Sequence, residues 1–240
     1  MNSWFDLAEV GGGFESGPQN RIRWELANRV PTAHDLQPGH EAADTLLILK
    51  ALATQYIAID FQHSREYYRD VLRPERIYAT LPGVHHEEDD TIYALPAHPL
   101  AHLMSPAELP GREPDKHPQV IEPYVAAMED PARPALHTAW RDNNTFEIDG
   151  AVEPGRIVAI SMNADPGWHA AQDGREIAIE TDNLGFMVLR PTTSADTHLT
   201  LRYRVGAEPR IMAGVSALVW IGAVAGLFLW RKRSDSQTMN

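Results

Sequence analysis

The stretch HLTLRYRV, residues 198–205, predicts a β-strand with one buried face. Leu199 and Leu201 alternate with Thr200 and Arg202, and a period of two places the apolar side chains on one side of a strand. Burial of a single face is typical of an antiparallel sheet that covers a core and meets water on its other side. We therefore expect further strands of this kind nearby in the chain.

Short runs of this type precede residue 198, from residue 134 onward. Clusters of Asp, Asn, Gly and Pro separate them at roughly ten-residue spacing, which is typical of an antiparallel sandwich. The predicted strands are residues 136–140, 145–148, 156–162, 176–180 and 184–190. Asp173-Gly174 has the chemistry of a two-residue hairpin turn. We predict an antiparallel β-sandwich over residues 119–208, beginning with a short helix over residues 120–129.

Residues 41–118 predict a small α/β unit ahead of the sandwich. The run AADTLLILKALAT, residues 42–54, indicates a helix, and QYIAID, residues 55–60, indicates a short buried strand. The further elements expected are a helix from Ser64 to Leu72, a strand over residues 91–95 and a proline-rich loop over residues 105–118. Residues 1–40 are rich in Gly, Pro and polar side chains, so we expect an irregular N-terminal segment.

The C-terminal region predicts a transmembrane helix. Residues 211–230 read IMAGVSALVWIGAVAGLFLW and contain neither a charged residue nor a proline. As a helix with a rise of roughly 1.5 Å per residue, this run spans about 30 Å, the thickness of a bilayer's hydrocarbon core. We assign the helix and its basic flank to residues 209–233 and a tail to residues 234–240. The predicted fold class is therefore α+β: a small α/β unit, an antiparallel β-sandwich and one C-terminal transmembrane helix.

Two features of this span predict its surroundings. Gly222 and Gly226 form a GxxxG step, which lets a second helix approach closely, although small residues are also common in spans generally. Tryptophan and basic side chains mark the membrane interface. The predicted interface residues are Trp230, Arg231, Lys232 and Arg233. We therefore expect the lipid bilayer and other transmembrane helices as partners.

The first 24 residues lack the basic region and apolar core of a signal peptide. We therefore expect transmembrane helices on a longer chain, or on a neighbouring polypeptide, to carry the domain across the membrane. The basic cluster after the span favours a cytoplasmic C-terminus, while Arg202, Arg204 and Arg210 ahead of it weaken that signal. We predict a protein of the inner (cytoplasmic) cell membrane, single-pass in this chain, with an extracytoplasmic globular part. The alternative is a tail anchor with a cytoplasmic domain.

Composition argues against several classes of function. A net charge of −12 argues against a nucleic-acid partner, which needs clustered Lys and Arg. The chain has no cysteine, so neither a disulfide framework nor thiolate chemistry is available. The glycines at residues 11–13 lack the Lys-Ser/Thr ending of a phosphate loop. The sequence has no nucleophile elbow and no acidic pair whose spacing marks a glycosidase, and we expect no cofactor.

Histidines occur in two patterns whose residue types or spacing are those of metal ligands. Residues 85–90, HHEEDD, contain ligand types, but contiguous ligands rarely converge on one ion, so we expect a solvated loop. His98 and His102 have the spacing of one helix face, but Pro96 and Pro99 disfavour a continuous helix there. We therefore predict no metal site.

The run RIVAISMNADPGWHAAQDGREI, residues 156–177, resembles a segment of bacterial YfhO-like membrane proteins and of related polytopic proteins labelled 6-pyruvoyl-tetrahydropterin synthase-related. In those proteins a strand leads into Pro-Gly-Trp, then Asp-Gly, then further strands and a transmembrane helix. Here the matching residues are 166–168 and 173–174, and the resemblance extends over residues 45–233. It implies a polytopic protein similar to the GT-C glycosyltransferases, which use lipid-linked sugar donors.

The resemblance also implies that the chain alone is not catalytic. In such glycosyltransferases the catalytic acid lies in an early extracytoplasmic loop between transmembrane helices, and this chain has no such loop. It resembles the C-terminal extracytoplasmic part of a polytopic protein linked to glycan or lipid-linked sugar transfer. The alternative is a membrane-tethered binding or assembly module with no carbohydrate role. A complete enzyme within this chain is the least favoured interpretation.

Trp168 is the candidate ligand-binding residue, because an aromatic face stacks well on the C–H surface of a sugar ring. Asp165 and His169 complete the predicted ligand-binding set. The competing interpretation, which the sequence favours, is that Trp168 covers the open edge of the sandwich core while Pro166 and Gly167 form a turn. A glycan or lipid-linked sugar is the expected ligand, and no catalytic residue is assigned.

Overall fold

The computed structural model describes residues 39–60, 78, 80–87, 90–114, 116–192, 194–204, 206 and 211–224. Contacts divide the chain into a compact unit that ends at Arg202 and a second unit that begins at Tyr203. The first unit consists mostly of antiparallel sheet with a few helices, which agrees with the predicted α+β class. The predicted helix at residues 64–72, and all but residues 39–40 of the N-terminal segment, lie outside the described residues.

The described elements of the first unit include the predicted helices at residues 42–54 and 120–129 and the predicted strands, together with strands at residues 83–87, 101–104 and 168–172 that the sequence did not predict. The helices are α1 (Glu41–Ala51) and α2 (Glu122–Glu129), with 3-10 turns at Pro106–Glu108 and Pro118–Ile121. The strands are β1 (Tyr56–Asp60), β2 (Gly83–Glu87), β3 (Asp90–Ala94), β4 (Ala101–Met104), β5 (His137–Asp142), β6 (Thr145–Val152), β7 (Ile157–Asn163), β8 (Trp168–Gln172), β9 (Arg175–Ile177), β10 (Ile179–Thr181), β11 (Phe186–Leu189) and β12 (Ser194–Tyr203).

Among the described residues, the strands form three sheets. A small sheet has the order β1-β3-β2, a central sheet has the order β10-β11-β7-β4, and an outer sheet has the order β5-β6-β12-β8-β9. Apolar side chains of the central and outer sheets share one buried cluster, so these two sheets pack face to face. The region predicted as a sandwich therefore contains two packed antiparallel sheets.

The central sheet is buried on both faces. In β7, Val158 and Ile160 belong to the cluster shared with the outer sheet, whereas Ile157 and Ala159 belong to a second cluster. That second cluster also contains buried side chains of α1 and α2. Because successive side chains of a strand point to opposite faces, a strand covered on both sides is apolar at every position. The fold therefore has three layers: helices with the small sheet, the central sheet, and the outer sheet.

The central sheet joins segments that the sequence analysis assigned to different units. Strand β4 lies in the predicted α/β segment 41–118, yet it pairs with β7, and Ala101 lies opposite Ile160. The helix-side cluster likewise combines residues from both predicted segments. Among the described residues, the helix-side cluster therefore continues across residue 118, where the predicted α/β unit ends.

Local turn chemistry is confirmed where the sequence was most specific. Asp173 and Gly174 both have left-handed φ values, 49° and 79°, as the favoured two-residue hairpin turn requires. They join β8 to β9, with Gln172 opposite Arg175. The expected solvated loop at residues 85–90 is wrong in conformation for residues 85–87 and 90, which lie in strands. The expected exposure holds for residues 85–87, whereas Asp90 is half-buried and residues 88–89 lie outside the described part of the chain. Residues 83–87 form strand β2, an edge strand whose residues are all exposed.

The second unit contains a helix over residues 211–224, and every one of these residues is exposed. These residues are the first part of the predicted span, and residues 225–230 lie outside the described residues. Within the described part of the chain, no helix has both the length and the apolar character needed to cross a membrane.

Candidate ligand-binding site

A cavity opens where the chain passes from the outer sheet to the central sheet. Strand β9 is an edge strand of the outer sheet, and β10 is an edge strand of the central sheet. Ala178 is the single residue between them in sequence. The cavity has a volume of about 380 Å³. Its walls are Ala164, Asp165, Pro166, Trp168, His169, Ala170, Glu176, Ile177, Ala178, Ile179 and Thr181. The structure thus brings the predicted residues Asp165, Trp168 and His169 together in one cavity.

The turn between β7 and β8 positions one wall of this cavity. The backbone N–H of Trp168 donates to the carbonyl of Asp165 at 3.0 Å, which closes a four-residue turn. The backbone N–H of Gly167 donates to Oδ1 of Asp165 at 2.7 Å. Aspartate side chains favour such turns because they accept from the backbone two residues further on. Asp165 therefore fixes the turn with one oxygen while its carboxylate also lines the cavity.

Trp168 takes part in both the core and the cavity. Its half-buried side chain packs against the cluster between the two sheets. Its ring centroid lies 6.2 Å from that of Trp140, whose own ring lies 4.9 Å from Phe146. The interpretation that Trp168 covers the sandwich edge is therefore correct, but the same residue also forms part of the cavity wall. The two roles are compatible because an indole has two faces and several edges.

Two of the polar side chains that line the cavity are carboxylates. Asp165 lies on the turn wall and Glu176 on the β9 wall, and neither lysine nor arginine occurs among the described lining residues. Nδ1 of His169 lies 3.7 Å from Oε1 of Glu176. Glu176 is not among the ligand-binding residues that the sequence predicts. The register of the Asp173-Gly174 hairpin contained the signal, since a two-residue turn after Gln172 brings residues of β9 beside those of β8.

This arrangement suits binding of a small polar ligand. The residues that line the cavity supply an aromatic side chain, two carboxylates, an imidazole and the Thr181 hydroxyl, together with small and branched apolar side chains. Ligand sites in proteins are concave and mostly apolar, with a few polar groups that fix orientation, and have volumes from roughly 300 Å³ upward. The volume therefore fits a ligand the size of one sugar ring more closely than that of an extended oligomer.

His98 and His102 lie in a different place, within the helix-side layers. Both rings are buried, and their centroids are 6.3 Å apart. Burial, with His98 alongside, lowers the pKa of His102 to about 4. Neither Nε2 has a hydrogen-bond partner. In the part of the chain that the structure describes, no group of three or more His, Cys, Asp or Glu side chains is placed to hold a metal ion.

A hydrogen-bonded row on the solvent face of β6 and β12 has the order of a nucleophilic triad. Nδ1 of His198 lies 2.7 Å from Oδ1 of Asp149, and Nε2 lies 3.1 Å from Oγ1 of Thr200. The hydrogen bond to Asp149 raises the pKa of His198. Such a row also needs free backbone N–H groups to stabilise an oxyanion. Strand β12 lies between β6 and β8, so its backbone groups are used in hydrogen bonds to these two neighbours. We therefore interpret the row as side-chain hydrogen bonds that stabilise the pairing of the strands.

The residues predicted for helix packing and the membrane interface are mostly beyond the described chain. Gly222 lies on the exposed helix, and a Cβ placed there meets no atom within 4 Å. The remaining predicted residues, which lie outside the described residues, are Gly226, Trp230, Arg231, Lys232 and Arg233.

Comparison with protein-family models, curated proteins and solved structures finds no match to this chain. The resemblance to YfhO-like proteins therefore stays a prediction.

Proposed function

We propose that this chain is a membrane-anchored extracytoplasmic module that binds a carbohydrate at the edge of its two packed sheets. The observation that carries the proposal is the cavity of about 380 Å³ that joins Trp168, Asp165 and His169. An indole beside carboxylate and imidazole groups is a combination that holds a sugar, because the ring face stacks and the polar groups accept or donate hydrogen bonds. The module is non-catalytic in this proposal and serves a larger membrane assembly that transfers glycan or lipid-linked sugar.

The membrane part of the proposal is supported by the C-terminal helix. Its apolar side chains are exposed around the whole circumference, with Leu218, Val219, Trp220 and Ile221 each more than 60% exposed. A helix that is apolar on every side is stable in water only when it is covered, and a bilayer is a solvent that covers all sides. The uncharged run continues through residue 230, which gives the sequence the length of a span.

Filling the cavity is expected to abolish carbohydrate binding without unfolding the protein. Ala178 is exposed and lines the cavity, so Ala178→Phe adds a ring to the cavity while leaving the buried clusters intact. We expect the affinity of the detergent-solubilised chain for its glycan to fall at least about tenfold, equivalent to about 1.4 kcal/mol. Glycan-array screening followed by calorimetry measures this change, and the melting temperature reports folding.

Ala139→Phe is the matched control, because Ala139 is an exposed strand residue that does not line the cavity. It should bind as the unmodified chain does. Trp168→Ala adds a second test: lost binding at an unchanged melting temperature favours the sugar site, and lost stability alone favours a purely structural role. Absence of glycan binding by the unmodified chain, or equal binding by both phenylalanine variants, contradicts the proposed site.

Membrane anchoring has a separate test. The chain expressed in bacterial cells should remain in the membrane fraction after an alkaline carbonate wash and should dissolve only in detergent. Replacing Val219 and Ile221 together by arginine should release much of it, because each arginine near the centre of a span costs roughly 2.5–3.5 kcal/mol of insertion free energy. The same two positions changed to leucine provide the control. Release of the unmodified chain by carbonate contradicts the anchor.

A further inference from the structure

We propose that the ligand of this cavity carries a positively charged amino group, as an amino sugar does. This inference rests on the proposed function, because it names the ligand class of the same cavity. The ethanolamine head group of a lipid offers the same ammonium chemistry, so the experiment below distinguishes these two sources.

The charged walls of the cavity carry the inference. Asp165 and Glu176 come from two different elements, the β7–β8 turn and β9, and both line the same space. The hydrogen bond from Gly167 occupies one oxygen of Asp165, and a carboxylate has about four lone-pair sites, so it retains acceptor capacity. Glu176 is 82% exposed, and its contact with His169 at 3.7 Å is longer than a hydrogen bond. Both carboxylates are therefore able to accept from a ligand.

Trp168 adds attraction of the same sign. The face of an indole is the most favourable aromatic surface for a cation, because its quadrupole presents negative charge. An ammonium group in this cavity meets an aromatic wall and two carboxylates without a competing Lys or Arg among the described lining residues. A phosphate or carboxylate in the same place meets like charge, which disfavours binding. The cavity is thus complementary to the amine of a sugar and not to the pyrophosphate of a lipid-linked donor.

The test compares two sugars that differ only at the amine. Tri-glucosamine and its fully N-acetylated counterpart are titrated into the full chain in a neutral detergent at pH 6, where the free amines are protonated. We expect the free-amine trimer to bind about tenfold more tightly, and we expect Glu176→Gln and Asp165→Asn each to reduce that preference about fivefold. Asp165→Asn keeps an oxygen that accepts from Gly167, so the turn is preserved.

Asp173→Asn is the matched control, because it removes one negative charge from the same hairpin at its far end. Asn tolerates the left-handed φ of 49° found there, and Asp173 is not a lining residue. This variant should keep the full preference for the free amine. The source of the amine is decided with the soluble lipid head group: glycerophosphoethanolamine is compared with its N-acetyl derivative, which has no free amine.

The outcomes separate the two proposals. A preference for the free amine that falls in the Glu176 and Asp165 variants supports the inference. Equal affinity for both trimers overturns the inference and leaves the carbohydrate function standing. Amine-dependent binding of glycerophosphoethanolamine with no binding to either trimer supports the ammonium site and contradicts the carbohydrate function. Binding in neither arm overturns both proposals.

Discussion

Ile157→Ala and Ile160→Ala are each expected to lower the free energy of unfolding by about 2–5 kcal/mol. The two side chains are at most 1% exposed and lie on opposite faces of β7, one in the helix-side cluster and one in the cluster between the sheets. Each truncation removes buried methyl groups and leaves a cavity that a close-packed neighbourhood fills only in part. Similar losses at both positions are the signature of a sheet that is covered on both faces.

The outer sheet provides the control for this prediction. Leu201 and Thr200 are neighbours in β12, but Leu201 is fully buried whereas Thr200 points to the solvent face. Leu201→Ala should cost about 2–5 kcal/mol and Thr200→Ala less than about 1 kcal/mol. Denaturant unfolding of the detergent-solubilised chain, followed by tryptophan fluorescence, measures all four variants. A small loss for Ile157→Ala beside a large loss for Ile160→Ala contradicts the three-layer arrangement.

Asp182→Asn is expected to change how stability depends on pH. Asp182 lies in the turn between β10 and β11, and its Oδ1 accepts from the backbone N–H groups of Leu184 and Phe186 at 2.8 and 2.9 Å. The other oxygen is buried and has no hydrogen-bond partner. Burial raises the pKa of Asp182 from its ordinary 3.8 to about 6, against the lowering effect of those backbone donors. As pH rises, the Asp182 carboxyl therefore loses its proton at a lower pH in the unfolded chain than in the folded protein.

The sign of the effect follows from proton linkage. Between pH 4 and pH 6 the folded state binds more protons at this carboxyl, so its contribution to stability falls as pH rises through that window and is constant above it. Asn keeps the accepting oxygen and cannot ionise. The stability of Asp182→Asn relative to the unmodified chain should therefore rise by about 2–3 kcal/mol between pH 4 and pH 7.

The pH dependence of stability is measured as a difference between the variant and the unmodified chain, because His102 changes stability with pH in the opposite direction to Asp182. Its pKa of about 4 lies below the ordinary value of 6.5, so the unfolded chain binds more protons between these values, and that contribution falls as pH is lowered. Denaturation midpoints of the two chains at pH 4, 5, 6 and 7 isolate the Asp182 contribution. A constant difference across this range shows that the buried carboxyl does not titrate with a raised pKa.

Much of the strand layout could be predicted because it depends on residues close together in the sequence. The alternation in HLTLRYRV identified β12, and the turn chemistry of Asp173-Gly174 identified the hairpin after β8. Strands β2, β4 and β8 were not predicted. Strand β4 follows two prolines and contains a histidine, and β8 begins directly after a Pro-Gly turn, so neither has a repeat long enough to indicate a period. Strand β4 is stabilised by pairing with β7, and β8 is stabilised by pairing with β12 on one side and with the next strand, β9, on the other.

The candidate site was predictable in part for the same reason. Trp168 was identified from its residue type beside a Pro-Gly turn, and Asp165 and His169 from their place beside it. Glu176 was not, because the chain contains 33 acidic residues and sequence alone does not distinguish one of them. Only strand pairing brings Glu176 beside His169, and only sheet packing brings β10 against this corner to close the cavity.

The sequence by itself determined the class of elements, the positions of the tight turns and the uncharged C-terminal run, since these depend on residues close together in the chain. The tertiary structure alone decided that the central sheet is covered twice. The runs IVAI in β7 and FMVL in β11 are apolar at every position, so their patterns carry no information about what covers each face. What covers each face of the central sheet depends on which other apolar surfaces can exclude water from it. Here those surfaces belong to α1, α2 and the outer sheet.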